Sequence, residues 1–262
     1  MAATAWRLES QFRLPEHAIP VLLPPLQPVE SGVSEAVEAL RKGLEERFSR
    51  HITSGTELIE TLERRRRDAV VPTALPPVDL LLGGGLPRGK MVEISGRGAR
   101  FPVVMAALAS STSIGEAATL IDLGGAFDPQ LGEAAGIDLQ RMLWVRPKKL
   151  KEAVAAAEML VATGFQLVVV DAGLPPLRGR VPDAAWVRLA RAAEAHGSAL
   201  VVSAPYPLTG TTSVAMLRAE QVRGRWSGGL LIGVETTMRL EKHRHKRPGE
   251  HARLRFEVAE RR

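Results

Sequence analysis

The stretch from Met91 to Met105 decides the fold, and it reads Met-Val-Glu-Ile-Ser-Gly-Arg-Gly-Ala-Arg-Phe-Pro-Val-Val-Met. A phosphate-binding loop runs strand, then Gly-x-x-x-x-Gly-Lys-[Ser/Thr], then helix. Its backbone N–H groups, lysine and hydroxyl hold phosphates and Mg²⁺. Here a strand is predicted over Lys90–Ile94, and Gly96 is the first glycine. The second glycine, the lysine and the hydroxyl residue are replaced by Phe101, Pro102 and Val103. The frame of the loop is kept without its phosphate-binding side chains.

The residues around the loop predict how the next helix begins. Pro102 has neither a charge nor an N–H, but its fixed φ suits the first position of a helix, predicted over Pro102–Ser111. Phe101 precedes a proline and is therefore expected to be extended. Arg97 and Arg100 flank the loop beside this helix N-terminus, a place that attracts anions. Either they hold a phosphate weakly or they face solvent, and the second interpretation is favoured.

Length and composition are those of a globular protein of the cytoplasm. The 262 residues can hold one α/β domain of up to about 200–250 residues and a small appendage. Cysteine is absent, which excludes disulfides and thiolate metal sites and is typical of a reducing compartment. The sequence shows neither an apolar run of about 18 residues nor a signal pattern. A cytoplasmic location without membrane contact is therefore predicted.

Two regions are predicted, residues 1–70 and residues 71–262. The first begins with a proline-rich arm over residues 1–30, which either packs on the body, the favoured interpretation, or docks on a partner. One helix is predicted from Ser34, with an apolar stripe at Val33, Val37, Leu40, Leu44 and Phe48. A second takes Thr56 to about Arg67 and ends in four arginines. These arginines are either a solvated helix end, which is favoured, or a nucleic-acid contact.

Strands and helices alternate in the second region, after a predicted loop at Val71–Pro87. The predicted strands are Lys90–Ile94, Ala118–Asp122, Met142–Arg146, Leu167–Asp171 and Ala199–Ala204. The predicted helices are Pro102–Ser111, Asp128–Ala135, Leu150–Thr163 and Asp183–Ala195. Short apolar strands between helices predict an α/β fold with a mostly parallel twisted sheet and helices on both faces. An antiparallel C-terminal extension is predicted over Gly229–Glu235, Met238–Lys242 and Arg253–Val258.

Several collinear landmarks resemble the core of the RecA recombinases. The first reads Asp79-Leu-Leu-Leu-Gly-Gly-Gly-Leu-Pro-Arg-Gly-Lys-Met-Val-Glu-Ile-Ser-Gly96. It is followed by Thr119-Leu-Ile-Asp-Leu-Gly-Gly-Ala-Phe-Asp-Pro129 and later by Gly164-Phe-Gln-Leu-Val-Val-Val-Asp171. The resemblance covers residues 75–205 well and residues 206–258 loosely. It implies a RecA-like core for residues 71–262, with the antiparallel strands as its basic extension.

The departures from the RecA pattern concern catalysis. The resemblance implies that the catalytic glutamate of that family falls on Gly124, within Asp122-Leu-Gly-Gly-Ala-Phe-Asp128. It also implies that Asp171 is the Walker B aspartate, here interpreted as a relic or a structural carboxylate. Because the loop lysine and the general base are both missing, hydrolysis of ATP is not expected. The chain is therefore predicted not to be an enzyme and to need no cofactor, as a RecA-like pseudo-ATPase.

Positive charge concentrates at the C-terminal end. Residues 218–262 hold 12 Lys and Arg against 6 Asp and Glu, an excess equal to the formal charge of +6 of the whole chain. DNA, single-stranded by preference, is predicted to contact Arg218, Arg223, Arg225, Arg239, Lys242, Arg244, Lys246, Arg247, Arg253 and Arg255. The alternative is a solvated hairpin turn around residues 242–247. His243 and His245 lie within this run, but flanking cations make it a poor metal site.

A RecA-like core with an altered ATP site and a basic tail also resembles the ImuA family, accessory proteins of the SOS-induced mutasome of translesion DNA synthesis. The resemblance implies a role in DNA damage-induced mutagenesis and repair, as an adapter for an inactive, ImuB-like Y-family polymerase homologue. Association with RecA or with itself is a further expectation. Two alternatives remain: an atypical ATP-dependent DNA-binding ATPase or recombinase paralogue, and a SulA-like inhibitor of cell division.

Overall fold

The part of the chain after Asp68 alternates strands and helices, and the computed structural model describes residues 5–8, 69–177 and 179–259. Ala5–Leu8 belongs to the same compact unit as the part after Asp68. The helices predicted from Ser34 and Thr56 lie outside the described residues, as does most of the proline-rich arm.

The described strands and helices have the following bounds. The strands are β1 Ala5–Leu8, β2 Val70–Val71, β3 Leu86–Pro87, β4 Met91–Gly96, β5 Ala118–Asp122, β6 Met142–Val145, β7 Leu167–Asp171, β8 Ala199–Ala204, β9 Ala215–Ser227, β10 Leu230–His243 and β11 His251–Ala259. The helices are α1 Pro76–Leu82, α2 Arg100–Ser113, α3 Pro129–Ala134, α4 Leu150–Ala162 and α5 Asp183–His196, with a 3₁₀ turn at Leu139–Arg141.

Nine of these strands form one sheet in the order β1-β11-β10-β9-β4-β8-β7-β5-β6. The pairs from β9 through β4, β8, β7 and β5 to β6 are parallel. The pairs among β9, β10, β11 and β1 are antiparallel. The predicted fold class, a mostly parallel sheet with a C-terminal antiparallel extension, is confirmed.

The apolar strands are buried because helices cover both faces of the parallel part. Helix α2 packs on one face, in a cluster with alternate residues of β4, β5, β7 and β8. Helices α4 and α5 pack on the other face against the intervening residues of the same strands. Since both faces are covered, β5, β7 and β8 consist of buried residues throughout.

Two elements of the structure, helix α1 and strand β9, were not predicted. Helix α1 occupies Pro76–Leu82 inside the predicted loop, because two prolines fit the first turn and Gly83 ends the helix in the left-handed conformation at φ 83°. Strand β9 occupies Ala215–Ser227, a segment for which the sequence predicted neither a strand nor a helix. The first residues of this strand are buried, and its polar residues lie on the side that faces solvent.

The start of helix α2 is a further correction. The helix begins at Arg100, so Phe101 is helical and not extended as predicted from the proline that follows it. Pro102 thus lies in the first turn, where a missing N–H leaves no hydrogen bond unmade.

Candidate functional site at the carboxyl edge of the sheet

The carboxyl ends of parallel strands meet at one edge of the sheet, and the altered loop lies there. Strand β4 ends at Gly96, whose φ of 107° suits glycine. A Cβ at Gly96 would lie 2.3 Å from the carbonyl oxygen of Ala219, and a Cβ at Gly98 would lie 2.3 Å from that of Glu220. The two glycines therefore let the loop press against strand β9.

A guanidinium occupies the centre of this edge. The Arg100 Nη1 lies 3.3 Å from the Asp171 Oδ1 and donates to the Ser203 Oγ at 2.6 Å. Its Nη2 donates to the carbonyl oxygen of Gly173 at 2.8 Å. Ser203 in turn donates its hydroxyl to the Asp171 Oδ1 at 2.6 Å. Arg100 is 5% exposed, so the expectation that it faces solvent is wrong; Arg97 does face solvent.

Burial governs the protonation equilibria of this pair. Desolvation raises the pKa of Asp171, while the Ser203 hydroxyl and the Arg100 charge oppose that rise. Burial likewise lowers the pKa of Arg100, against the attraction of Asp171. The buried Nε of Arg100 has no hydrogen-bond partner among the described residues. Both terminal nitrogens of the guanidinium thus have acceptors, whereas its Nε has none among the described residues.

The loop residues can be compared with the needs of a magnesium nucleotide. Phe101, Pro102 and Val103 lie in the first turn of α2, and Val103 is buried in the core. None of the three supplies a lysine amine or a hydroxyl, the groups that an ordinary loop offers to the β/γ-phosphates and to Mg²⁺. Asp171, the aspartate expected near that metal, is already held by Arg100 and Ser203. The side chains present do not fit the usual magnesium-nucleotide arrangement.

Gly124 is fixed by packing between two strand-end loops. A Cβ at Gly124 would lie 2.7 Å from the Cα of Gly173, and one at Gly173 would lie 2.6 Å from the Cα of Gly124. The loop of Gly124 is held by Asp122, which accepts from the backbone N–H groups of Ala126 at 3.1 Å and Phe127 at 3.0 Å. Any side chain at position 124 requires these loops to separate.

Sequence reasoning missed two participants in this site. Ser203 lies in an apolar strand, where a lone hydroxyl gives no motif signal, and only the sheet order brings it beside Asp171. Trp144 donates its indole N–H to Asp122 at 3.3 Å, and the guanidinium of Arg146 lies 5.0 Å from its ring centroid. For the contact between Trp144 and Asp122, the sequence offered only one indication, the aspartate at the end of a predicted strand.

The predicted DNA-contacting residues divide into two groups, a face and a turn. We call the outward side of strands β9, β10 and β11 the arginine face, and it carries Arg218, Arg223, Arg225, Arg239, Arg253 and Arg255. The register aligns Arg223 with Glu235 and Glu235 with Arg255, and it aligns Arg218 with Arg239. Residues that are far apart in sequence thus share one side of the antiparallel extension.

Most cations of the arginine face have an acidic neighbour. Their ion pairs, by nitrogen-to-oxygen distance, are Arg218–Glu241 at 2.9 Å, Arg225–Glu257 at 2.6 Å, Arg239–Glu220 at 3.8 Å and Arg255–Glu235 at 2.9 Å. Arg223 and Arg253 are exposed and have no ion pair within the described part of the chain. The face therefore combines neutralised and free guanidinium groups.

The end of β10 and the turn that follows it place two of their four cations against the protein itself. Lys242 donates to the carbonyl oxygens of Thr211 at 2.9 Å and Ser213 at 2.5 Å, and burial lowers its pKa. Lys246 donates to the carbonyl oxygen of Leu80 at 2.6 Å, at the end of helix α1. The other two cations of the turn are exposed: Arg244 and Arg247.

The two histidines lie in the same segment, His243 at the end of β10 and His245 in the turn. The ring of His243 lies 3.3 Å from the carbonyl oxygen of Leu82, and His245 is exposed. The described residues contain no group of three or more His, Cys, Asp or Glu placed to hold a metal ion.

Glu93 supports the loop that Lys242 contacts. Its buried carboxylate accepts from the N–H groups of Leu208 at 2.7 Å and Thr209 at 3.1 Å. No helix in the described ranges is long and apolar enough to span a membrane.

Comparison with known proteins identifies relatives over much of the chain. The sequence model of the family described as the RecA N-terminal domain matches residues 43–184. The RecA protein of Saccharopolyspora erythraea is 34% identical over 113 residues, which are 42% of this chain and 33% of that protein. The RecA protein of Mycobacterium avium is 35% identical over 130 residues, 46% of this chain and 37% of that protein. The chain thus spans about a third of the length of these curated relatives.

A solved structure, the RadB recombinase, is similar to this fold. Its TM-score is 0.53 at 21% sequence identity, over 70% of this chain and 94% of the recombinase. The expectation that the chain is not an enzyme is wrong, because its relatives at 34% and 35% identity are RecA proteins. The missing loop lysine and the glycine at position 124 are local substitutions and do not by themselves exclude catalysis.

Proposed function

Because this chain belongs to the RecA family, we propose that it is a RecA-like accessory protein of damage-induced translesion DNA synthesis. In this role it contacts single-stranded DNA and acts as an adapter for an inactive, ImuB-like Y-family polymerase homologue. The adapter role and the partner rest on the likeness to the ImuA family. DNA contact rests on the arginine face.

The gathering of six arginines on one side of the antiparallel extension carries the proposal. Guanidinium groups bind phosphate oxygens through several N–H donors, and such contacts are independent of base sequence. Arg223 and Arg253, which are exposed and have no ion pair with any described residue, can do so at once. The others would exchange a half-buried carboxylate at the surface for a phosphate, an exchange that costs little because surface ion pairs are worth about 0–1 kcal/mol.

Acidic residues on the same face predict a moderate affinity. The arginine face also carries four acidic residues: Glu220, Glu235, Glu241 and Glu257. Its positive electrostatic potential is therefore weaker than the number of arginines alone would give. Binding of this kind is strongly salt-dependent, since each neutralised phosphate of single-stranded DNA contributes about 0.7 to the slope of log K against log salt.

Fluorescence anisotropy of a labelled oligo-dT tests the proposal, at two salt concentrations and with and without Mg-ATP. We expect salt-sensitive binding, and we expect Arg239→Ala with Arg253→Ala to lower the slope by about 1.4, two phosphate contacts. A matched control is Arg188→Ala, an exposed arginine on helix α5. Binding that the double variant leaves unchanged would contradict DNA contact at the arginine face.

A second experiment tests the adapter role. The full chain and the purified polymerase homologue are combined and analysed by size-exclusion chromatography with light scattering, and ATP turnover is recorded in the same samples. We expect a stable complex of the two proteins. Two separate peaks at micromolar concentration would refute the adapter role, whatever the result with DNA.

A further inference from the structure

The second half of strand β9 has an edge that no described strand pairs. Strand β4 pairs with β9 only from Ala215 to Ala219, and the last pair joins Gly96 to Ala219. On its other side, β9 continues to pair with β10 as far as Ser227. Within the described part of the chain, one edge of residues 221–227 is therefore open, and we call it the β9 edge. Alternate residues of such an edge present unpaired N–H and C=O groups.

The side chains along the β9 edge alternate in character. Val222 and Trp226 lie on one side of the sheet and are 43% and 66% exposed. Arg223 and Arg225 lie on the other side, as part of the arginine face. Proteins usually cover a strand edge that carries exposed apolar side chains, unless that edge binds a partner.

Gly224 positions the indole of Trp226. A Cβ at Gly224 would lie 2.7 Å from the indole Nε1 and 3.1 Å from the Leu231 Cδ1. Trp226 therefore lies over the bare backbone of Gly224, beside Leu231 with which it is paired across the hairpin. The ring is held at the edge while most of its surface stays accessible, so it can contact a partner without first reorienting.

Charge indicates what can bind there. Arg223 is exposed and has no ion pair among the described residues, and exposed Arg97 follows the point where β4 ends. An acidic segment would complement these cations. A second copy of this chain would instead bring its own arginines against them, because its β9 edge carries the same alternation. The charge pattern therefore disfavours self-association through this edge.

We propose that the β9 edge binds an extended segment of a partner protein in which acidic residues alternate with apolar ones. The segment adds a strand to the sheet: its backbone pairs with the open N–H and C=O groups, its apolar side chains contact Val222 and Trp226, and its carboxylates face Arg223. The inference rests on the proposed function, because it gives the adapter a contact for its protein partner.

A labelled peptide tests this edge without knowledge of the partner. The probe is a fluorescein-labelled ten-residue peptide that alternates Glu with Val or Leu, and the control probe has Lys in place of Glu. We expect the acidic probe to bind the full chain and the basic probe not to bind. In hydrogen–deuterium exchange, those amides of residues 221–227 that point away from β10 should exchange fast in the free protein and about tenfold more slowly with the acidic probe.

Two variants and a control locate the contact. Arg223→Glu should weaken probe binding about tenfold or more, since it sets a carboxylate against those of the probe. Trp226→Ser removes apolar contact without reversing a charge, and it should also weaken binding. Arg253→Glu makes the same reversal on the same face but away from the β9 edge, and it should leave peptide binding unchanged.

Three outcomes would overturn the inference. Slow exchange of the amides of residues 221–227 that point away from β10 would mean that another part of the chain, or a second copy, already covers the edge. If wild type and Arg223→Glu bind the acidic peptide equally, the peptide does not bind at the β9 edge. Protection by oligo-dT and not by the acidic peptide would assign the edge to nucleic acid. Loss of DNA binding or of the polymerase homologue complex in the earlier tests leaves each of these readouts unaffected.

Discussion

Replacement of Arg100 by methionine would remove the positive charge at the centre of the site while keeping an unbranched side chain. Asp171 would lose the guanidinium at 3.3 Å and Gly173 would lose the donor to its carbonyl oxygen at 2.8 Å. Breaking a buried ion pair by removing one partner costs about 3–5 kcal/mol, because the other charge stays buried. At about 2–4 °C per kcal/mol for a domain of this size, the melting temperature should fall by about 6–20 °C.

The loss should depend on pH in a defined direction. Burial already raises the pKa of Asp171, and removal of Arg100 takes away one of the interactions that oppose this rise. A carboxyl group whose pKa is raised in the folded state favours folding below its unfolded pKa, and this contribution is lost as the pH rises through the folded pKa. The deficit of the variant should therefore be largest at neutral pH and should narrow as the pH falls.

Urea unfolding followed by tryptophan fluorescence at about pH 7 and about pH 5 measures both effects. The control is Arg188→Met, whose side chain is 63% exposed and pairs at 3.2 Å with Glu158 at the surface, an ion pair that should be worth no more than about 1 kcal/mol. A loss at Arg100 no larger than that of the control, or a loss that stays constant with pH, would refute the assignment of Arg100 as the counter-charge of Asp171.

Three more predictions concern residues that hold loops. Glu93→Gln should lower the free energy of unfolding by about 1–3 kcal/mol, measured in urea, since an amide replaces a carboxylate acceptor of two backbone N–H groups; an unchanged midpoint would count against it. Gly124→Ala should also destabilise, because the new Cβ would lie 2.7 Å from the Gly173 Cα, and a melting temperature equal to that of wild type would contradict the tight contact. Lys242→Met should speed hydrogen exchange in residues 210–214, because the carbonyl groups of Thr211 and Ser213 lose their ammonium donor, and exchange as slow as in wild type would show that the loop needs no such support.

Much of the parallel sheet could be predicted because its strands are short apolar runs between amphipathic helices. The bounds of β5, β7 and β8 agree with the prediction, since each is a short run of mostly apolar residues that is buried throughout, as expected for strands covered on both faces. Helix α1 was missed because Pro76 and Pro77 were interpreted as loop residues. Two prolines are compatible with a first helical turn, whose N–H groups have no partner in the helix.

The candidate site was harder to predict than the fold. The loop substitutions at Phe101, Pro102 and Val103 are visible in the sequence, but the burial of Arg100 is not. Its acceptor Ser203 lies 103 positions further along the chain, and the order of the strands alone brings the two together. The arginine face was seen as a charge excess, whereas its acidic partners became apparent only from the strand register.

The turn between β10 and β11 has a consequence for how the chain is completed during synthesis. The carbonyl groups at the end of helix α1 are capped by His243 and Lys246, residues that lie 161 and 166 positions later. The helix therefore leaves the ribosome well before the residues that cap it. A premature stop before residue 243 would thus leave an early element unfinished as well as removing β11, and such a truncated chain should be an early substrate of cellular proteases.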